Sequence, residues 1–124
     1  DEMVWAAKGL GCYWNGRRAH VSTQSHWDKS LLLATDTEEF APNGKHEAYR
    51  QMVAMSAEHR TWGNAYGHIM VATGRAEVML DPAMESWDCA PLLPIVQEAG
   101  GTFTDWNGIA TIHGGNAIST NGRL

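Results

Sequence analysis

Asp88 is the residue of this chain best placed to do chemistry, because it stands at the head of a long apolar segment that reads as a helix. A carboxylate there has two uses. It can cap the helix by accepting orphan backbone N–H groups, worth about 1 kcal/mol. It can instead bind a hard divalent cation, at a helix end whose dipole also favours a phosphate. Other candidates carry less. Asp36, Glu38 and Glu39 could chelate Mg²⁺ or Ca²⁺ but read better as a solvated charge run. The six histidines, at 20, 26, 46, 59, 68 and 113, follow no metal-ligand spacing and read as solvated or hydrogen-bonded side chains. Cys12 and Cys89 also lack metal-type spacing; they read as small buried residues in a reducing cytoplasm, with a single bridge as the alternative.

The element that must position Asp88 is a helix predicted over residues 87–101. Asp88 falls at its N-cap, Pro91 in its first turn, and Gly100-Gly101 at its stop. Ala90, Leu92, Leu93, Ile95 and Val96 make it mostly apolar, hence largely buried, and Pro94 should bend it. Around it the chain alternates strand and helix patterns. Residues 2–8 read as a central strand, apolar on both sides. Residues 12–14 and 17–21 read as a hairpin closed by Asn15-Gly16. After a polar loop over 22–29 and a strand over 31–35, a loop at Pro42-Asn43-Gly44 precedes an amphipathic helix over 45–59, with Tyr49, Met52, Val53 and Met55 on its apolar side. A short strand over 60–62, a buried helix over 65–73 and an alternating strand over 76–80 follow, then strands over 102–105 and 117–120. Strands interleaved with buried helices predict an α/β layered domain, a single one at 124 residues. Six tryptophans, four of them (Trp14, Trp62, Trp87, Trp106) beside turns, read as core and edge packing with satisfied indole N–H groups.

Trp87-Asp88-x-Ala90 followed by Glu98-Ala99-Gly100-Gly101 resembles the C-terminal signature of the inositol monophosphatase family. Further stretches fit in the same order: Gly9-Leu10-Gly11 with Asn15-Gly16, Gly63-Asn64-Ala65-Tyr66-Gly67, Ala72-Thr73-Gly74-Arg75-Ala76, and Gly114-Gly115 before Ser119-Thr120-Asn121. The resemblance covers nearly the whole chain. It implies a layered mixed sheet with flanking helices, the C-terminal half of the inositol monophosphatase and sugar phosphatase fold.

The resemblance also implies chemistry. Family members hold two or three Mg²⁺ ions with carboxylates, as hard cations require, and hydrolyse small phosphate monoesters with a metal-activated water. Asp88 corresponds to the family's metal-binding aspartate. Asp81, seven residues earlier, falls where an acidic residue contacts the non-phosphate part of the substrate, although an Asx turn before Pro82 explains it equally well. Gly63, Asn64 and Ala65 lie where the substrate-facing turn falls, a place where glycine lets backbone approach a ligand or simply serves a tight turn. The family's Asp-Pro-x-Asp-Gly-Thr motif and upstream glutamate are not in this sequence, since Asp81-Pro82 is followed by Ala83-Met84-Glu85. No catalytic residue is therefore assigned within the chain.

The stretch Ala72–Pro82 and Phe103-Thr104-Asp105-Trp106 look closest to the histidinol-phosphatase branch, with inositol monophosphatase as the runner-up. An assembly or binding module that kept the fold without the chemistry is the alternative of another class. A chain that opens inside a central strand is expected to be part of something larger, inactive and prone to oligomerise alone, and completed by an N-terminal half or an oligomer partner. Net charge of −5 argues against nucleic acid or an anionic membrane as partner. No apolar run approaches the roughly 20 residues that span a bilayer, and no signal peptide is visible, so a cytoplasmic location is expected.

Overall fold

The computed structural model describes residues 2–63 and 65–124. Two sheets form. The first is a three-stranded antiparallel sheet of β1 (Val4–Ala7), β2 (Gly11–Trp14) and β3 (Arg17–Ala19), in that order. Asn15 (φ 49°) and Gly16 (φ 82°) both take left-handed backbone, as the tight turn between β2 and β3 demands. Residues 2–8 do not form a central strand: β1 lies at the sheet edge, paired with β2 alone among the described residues, and its Trp5 is 44% exposed. An apolar run reads the same whether its second face is covered or merely available to be covered.

The second sheet has five strands: β4 (Leu31–Ala34), β5 (Glu58–Thr61), β6 (Val78–Asp81), β7 (Thr102–Thr104) and β8 (Ala117–Thr120). Their order is β5-β4-β6-β8-β7; β5, β4 and β6 run parallel, and β8 is antiparallel to both neighbours. This is the expected mixed sheet. Strand β6 was predicted to alternate, yet all four of its residues are buried, because helices cover both faces of a central parallel strand. Strand β5 begins two residues earlier than predicted and is exposed throughout at the edge.

Helix α1 (His46–Met55) sets Tyr49, Met52 and Val53 against Leu32, Ala34, Phe40, Val78 and Leu80 on one face of this sheet. It stops short of the predicted residue 59, and Met55, assigned to its apolar side, is 46% exposed. Helix α2 (Tyr66–Ala72) packs on the other face, where Leu33, Val71, Ala76 and Met79 meet.

The helix predicted over residues 87–101 is two helices, α3 (Ser86–Cys89) and α4 (Leu92–Glu98), separated at Ala90-Pro91. The break relieves Pro94, which now lies in the first turn of α4, where its missing N–H costs little. Helix α4 touches β1 and β2 on one side and β7 on the other, joining the two sheets through Cys12, Cys89, Leu92, Val96 and Phe103. Gly101 is needed for this junction, since a Cβ there would run into the Thr120 carbonyl and the Val96 side chain. Both cysteines are buried and unbridged.

The signature glutamate proves structural. The Glu98 carboxylate accepts the N–H of Gly9 (3.1 Å) and of Gly11 (2.8 Å), tying the end of α4 to the β1–β2 turn. These two bonds hold its carboxyl below the usual carboxylate range. Deprotonated Glu98 thus favours the folded chain, a contribution present above the ordinary glutamate pKa and lost as pH falls through the lowered one. Urea unfolding should find wild type more stable than Glu98→Gln at neutral pH, with the gap closing on acidification; a gap independent of pH would refute this role.

Candidate functional site

Parallel strands end together, and the loops beyond their carboxyl ends make a crevice. Here β4, β5 and β6 deliver Thr35, Trp62-Gly63 and Asp81 to one end of the sheet. A cavity of about 410 Å³ opens there, lined by Thr35, Glu39, Ala65, Asp81, Trp87 and Asp88 among others. A neighbouring hollow of about 390 Å³ shares Thr35 and is lined by Asp36, Thr37, Thr61, Trp62 and Gly63. The fold therefore brings Asp81, Ala65 and Asp88 to one cavity and Gly63 to the adjoining one. Asn64 lies outside the described residues.

Asp88 is not an N-cap. It is the third residue of α3, with its own N–H bonded to the Glu85 carbonyl at 3.0 Å, and its carboxylate is exposed. Its carboxylate lines the cavity and has no hydrogen-bond partner among the described residues. Asp81 closes β6 and is 5% exposed. Its carboxylate accepts no backbone N–H among the described residues, so the Asx-turn reading does not hold for it. Instead Asp81 Oδ2 lies 3.7 Å from Nε2 of the fully buried His68. The Asp81 carbonyl accepts the indole N–H of Trp106 at 3.1 Å. Trp106 thus meets the expectation of a satisfied indole, whereas the buried Nε1 of Trp14 has no partner among the described residues and its ring lies under the Arg75 guanidinium at 4.3 Å.

The field of the two aspartates is felt next door. Burial, with the charges of Asp81 and Asp88 added, pushes the Cys89 thiol up to about 11. Such a thiol is inert as a nucleophile at neutral pH. Its Sγ instead lies 3.8 Å from the Met84 Sδ.

The carboxylates of Asp88 and Glu39 at one cavity are the oxygen donors that a hard cation such as Mg²⁺ takes. No three His, Cys, Asp or Glu side chains among the described residues converge closely enough to enclose one. Sequence reasoning left Glu39 in a solvated run; the tertiary fold brings it to the cavity rim because Asp36 caps a 3-10 turn over Thr37–Glu39 through the Glu38 N–H at 3.0 Å. An Asp two residues before an acidic pair was the available signal. Thr35 was missed because a strand-end threonine carries no spacing signal of its own. His68 was read as an ordinary histidine, and only its place on α2 reveals its neighbour.

A sequence profile of the inositol monophosphatase family matches residues 1–123. The chain is 36% identical over 117 residues to a histidinol-phosphatase of Chlorobaculum parvum, covering 94% of this chain and 45% of that protein. It is 32% identical over 125 residues to a histidinol-phosphatase of Mycobacterium tuberculosis, covering 97% and 48%. The structure superposes on an inositol monophosphatase from Anabaena with a TM-score of 0.87 at 28% identity, covering 99% of this chain and 52% of that one. The chain spans about half the length of the relatives it matches. With a profile match over almost every residue and the mixed-sheet fold of its relatives, this chain belongs to the inositol monophosphatase family.

Proposed function

We propose that this chain is a domain of a cytoplasmic, Mg²⁺-dependent phosphomonoesterase, and that its substrate is a small phosphorylated alcohol, histidinol phosphate first and inositol monophosphate second. The observation that carries this reading is the convergence of Asp81 and Asp88 on one cavity at the carboxyl ends of parallel strands. Asp88, exposed and with no side-chain partner among the described residues, would hold Mg²⁺. Bound there, the ion would supply Lewis-acid polarisation of the phosphate and activation of a water. Asp81 would seat the far end of the alcohol, because a nearly buried carboxylate favours an ammonium or a hydroxyl donor. Gly63, Asn64 and Ala65 would form the turn facing the substrate. In the overall step water adds to phosphorus, the P–O ester bond breaks, and the alcohol leaves with a proton.

The partial ligand set supports a second half supplied from outside this sequence. The side of β1 that pairs with no strand among the described residues, flanked by exposed Met3, Trp5 and Leu10, offers that half a strand to pair with. The same partial set favours a second reading, an assembly module that binds without catalysing.

The two are separated by phosphate release from histidinol phosphate and from inositol monophosphate with Mg²⁺, using this chain alone and mixed with the N-terminal half of a family member. Activity confined to the mixture is the expected result. Activity from the chain alone would show that its metal ligands have been misassigned, and silence in both would leave the binding module standing.

A further inference from the structure

His68 and Ser119 are buried polar residues that the proposed hydrolysis does not use. They face each other across the space between α2 and the five-stranded sheet. Gly67 lets α2 approach β6 closely, since a Cβ there would collide with the Met79 thioether. Met79 pairs with Ser119 and Ser119 with Phe103, so three strands present one row of side chains to the helix. Asp81 follows two residues after Met79 and shares its face. His68 sits over this row with its ring tilted against Phe103 at 5.5 Å between centroids.

The imidazole has one partner at hydrogen-bond distance. Its Nδ1 lies 2.6 Å from Ser119 Oγ. Its Nε2 is buried and has no hydrogen-bond partner among the described residues, with Asp81 Oδ2 the anionic neighbour at 3.7 Å. An ordinary core histidine satisfies both nitrogens, because a buried orphan is costly. The two neutral tautomers differ sharply here. If Nδ1 carried the proton, the Nε2 lone pair would face a carboxylate, which is repulsive. If Nε2 carries it, Ser119 donates its hydroxyl hydrogen to Nδ1 and the Nε2–H dipole points its positive end at Asp81.

We propose that His68 is a positioning residue for Asp81: Ser119 fixes the Nε2–H tautomer, and the imidazole holds the charged carboxylate in place as the seat for a positively charged end of the substrate. A separation of 3.7 Å exceeds a hydrogen bond, and a sub-ångström shift would close it. In this tautomer the imidazole does not offset the negative charge of the Asp81 carboxylate at the cavity wall. This selects a phosphorylated amino alcohol over a neutral polyol phosphate. The tautomer stands on geometry alone, whereas the role in substrate selection rests on the phosphatase reading above.

Two measurements separate these parts. Long-range ¹H–¹⁵N spectra of the full chain with ¹⁵N-labelled histidine should show His68 as the neutral Nε2–H tautomer with an unprotonated Nδ1. A proton on Nδ1, or averaging between tautomers, overturns the proposal. In the assembled enzyme, His68→Phe should raise KM for histidinol phosphate about tenfold, the low end for losing a hydrogen bond to a charged group, with kcat changed less than about twofold. His68→Gln, whose amide can place an N–H near the position of Nε2, should restore KM to within about threefold of wild type, and neither variant should raise KM for inositol monophosphate comparably. Equal impairment by Gln and Phe, or a loss confined to kcat, overturns the positioning role. Should His68→Phe fail to fold, the tautomer and the His68→Gln kinetics decide. Absence of hydrolysis in every assembly refutes the phosphatase reading, and the tautomer then decides the His68–Asp81 assignment by itself.

Discussion

Asp88→Asn is expected to reduce Mg²⁺-dependent phosphate release by the assembled enzyme on the order of 10²-fold or more. Outer-shell partners of metal ligands typically cost about 10–100-fold when replaced, and loss of a charged ligand itself should equal or exceed that. Asparagine keeps the size and an oxygen donor while removing the negative charge that a hard cation prefers. Asp88 is exposed and its side chain makes no hydrogen bond among the described residues, so the substitution should leave the fold intact. Thermal unfolding within about 2 °C of wild type, together with weakened Mg²⁺ binding by titration calorimetry, would place the loss in the metal site. Activity within about threefold of wild type would remove Asp88 from the ligand set. Metal binding that is weak and indifferent to the substitution would favour the non-catalytic module.

The largest effect on stability is expected from Phe40→Ala. Phe40 is fully buried, stacks on Tyr49 at 4.3 Å between ring centroids, and meets Trp106 at 6.0 Å. It joins α1 to the sheet through Leu32, Val78 and Leu80. Truncating a buried phenylalanine costs about 3–5 kcal/mol, against a total of about 5–15 kcal/mol for a domain. For a chain of this size the midpoint of thermal unfolding should fall by about 10–20 °C. The effect reaches the site as well, because Phe40 directly follows the 3-10 turn that brings Glu39 to the cavity, and Trp106 bonds the Asp81 carbonyl. A folded Phe40→Ala variant should therefore also bind Mg²⁺ less tightly. A fall of less than about 3 °C would mean that α1 is held by other contacts.

Local sequence signals carried much of the architecture. The unbroken apolar run at Leu31–Ala34 reads as a short strand, Asn15-Gly16 reads as a tight hairpin turn, and both are found. Each depends on a neighbour one or two residues away. The site was legible only through resemblance: the Trp87-Asp88 signature pointed to Asp88 and thence to Asp81, and the fold sets both on one cavity. Composition alone would have left Asp88 a helix cap.

What the sequence could not decide were questions of cover and of distance. Whether the apolar run at 2–8 is central depends on what lies across its second face, and β1 proves to be an edge. Whether Pro94 bends a helix depends on where that helix starts, and the break at Ala90-Pro91 moves the start to Leu92. Glu98 belongs to a family signature, yet its partners are the backbone N–H groups of Gly9 and Gly11, nearly ninety positions away. His68, Ser119 and Asp81 come from a helix and two antiparallel strands, and no spacing links them. Turn and strand propensities act between near neighbours, so the sequence by itself determined them. Burial and polar pairing act between surfaces that meet only when the chain has folded, and there the tertiary structure alone decided.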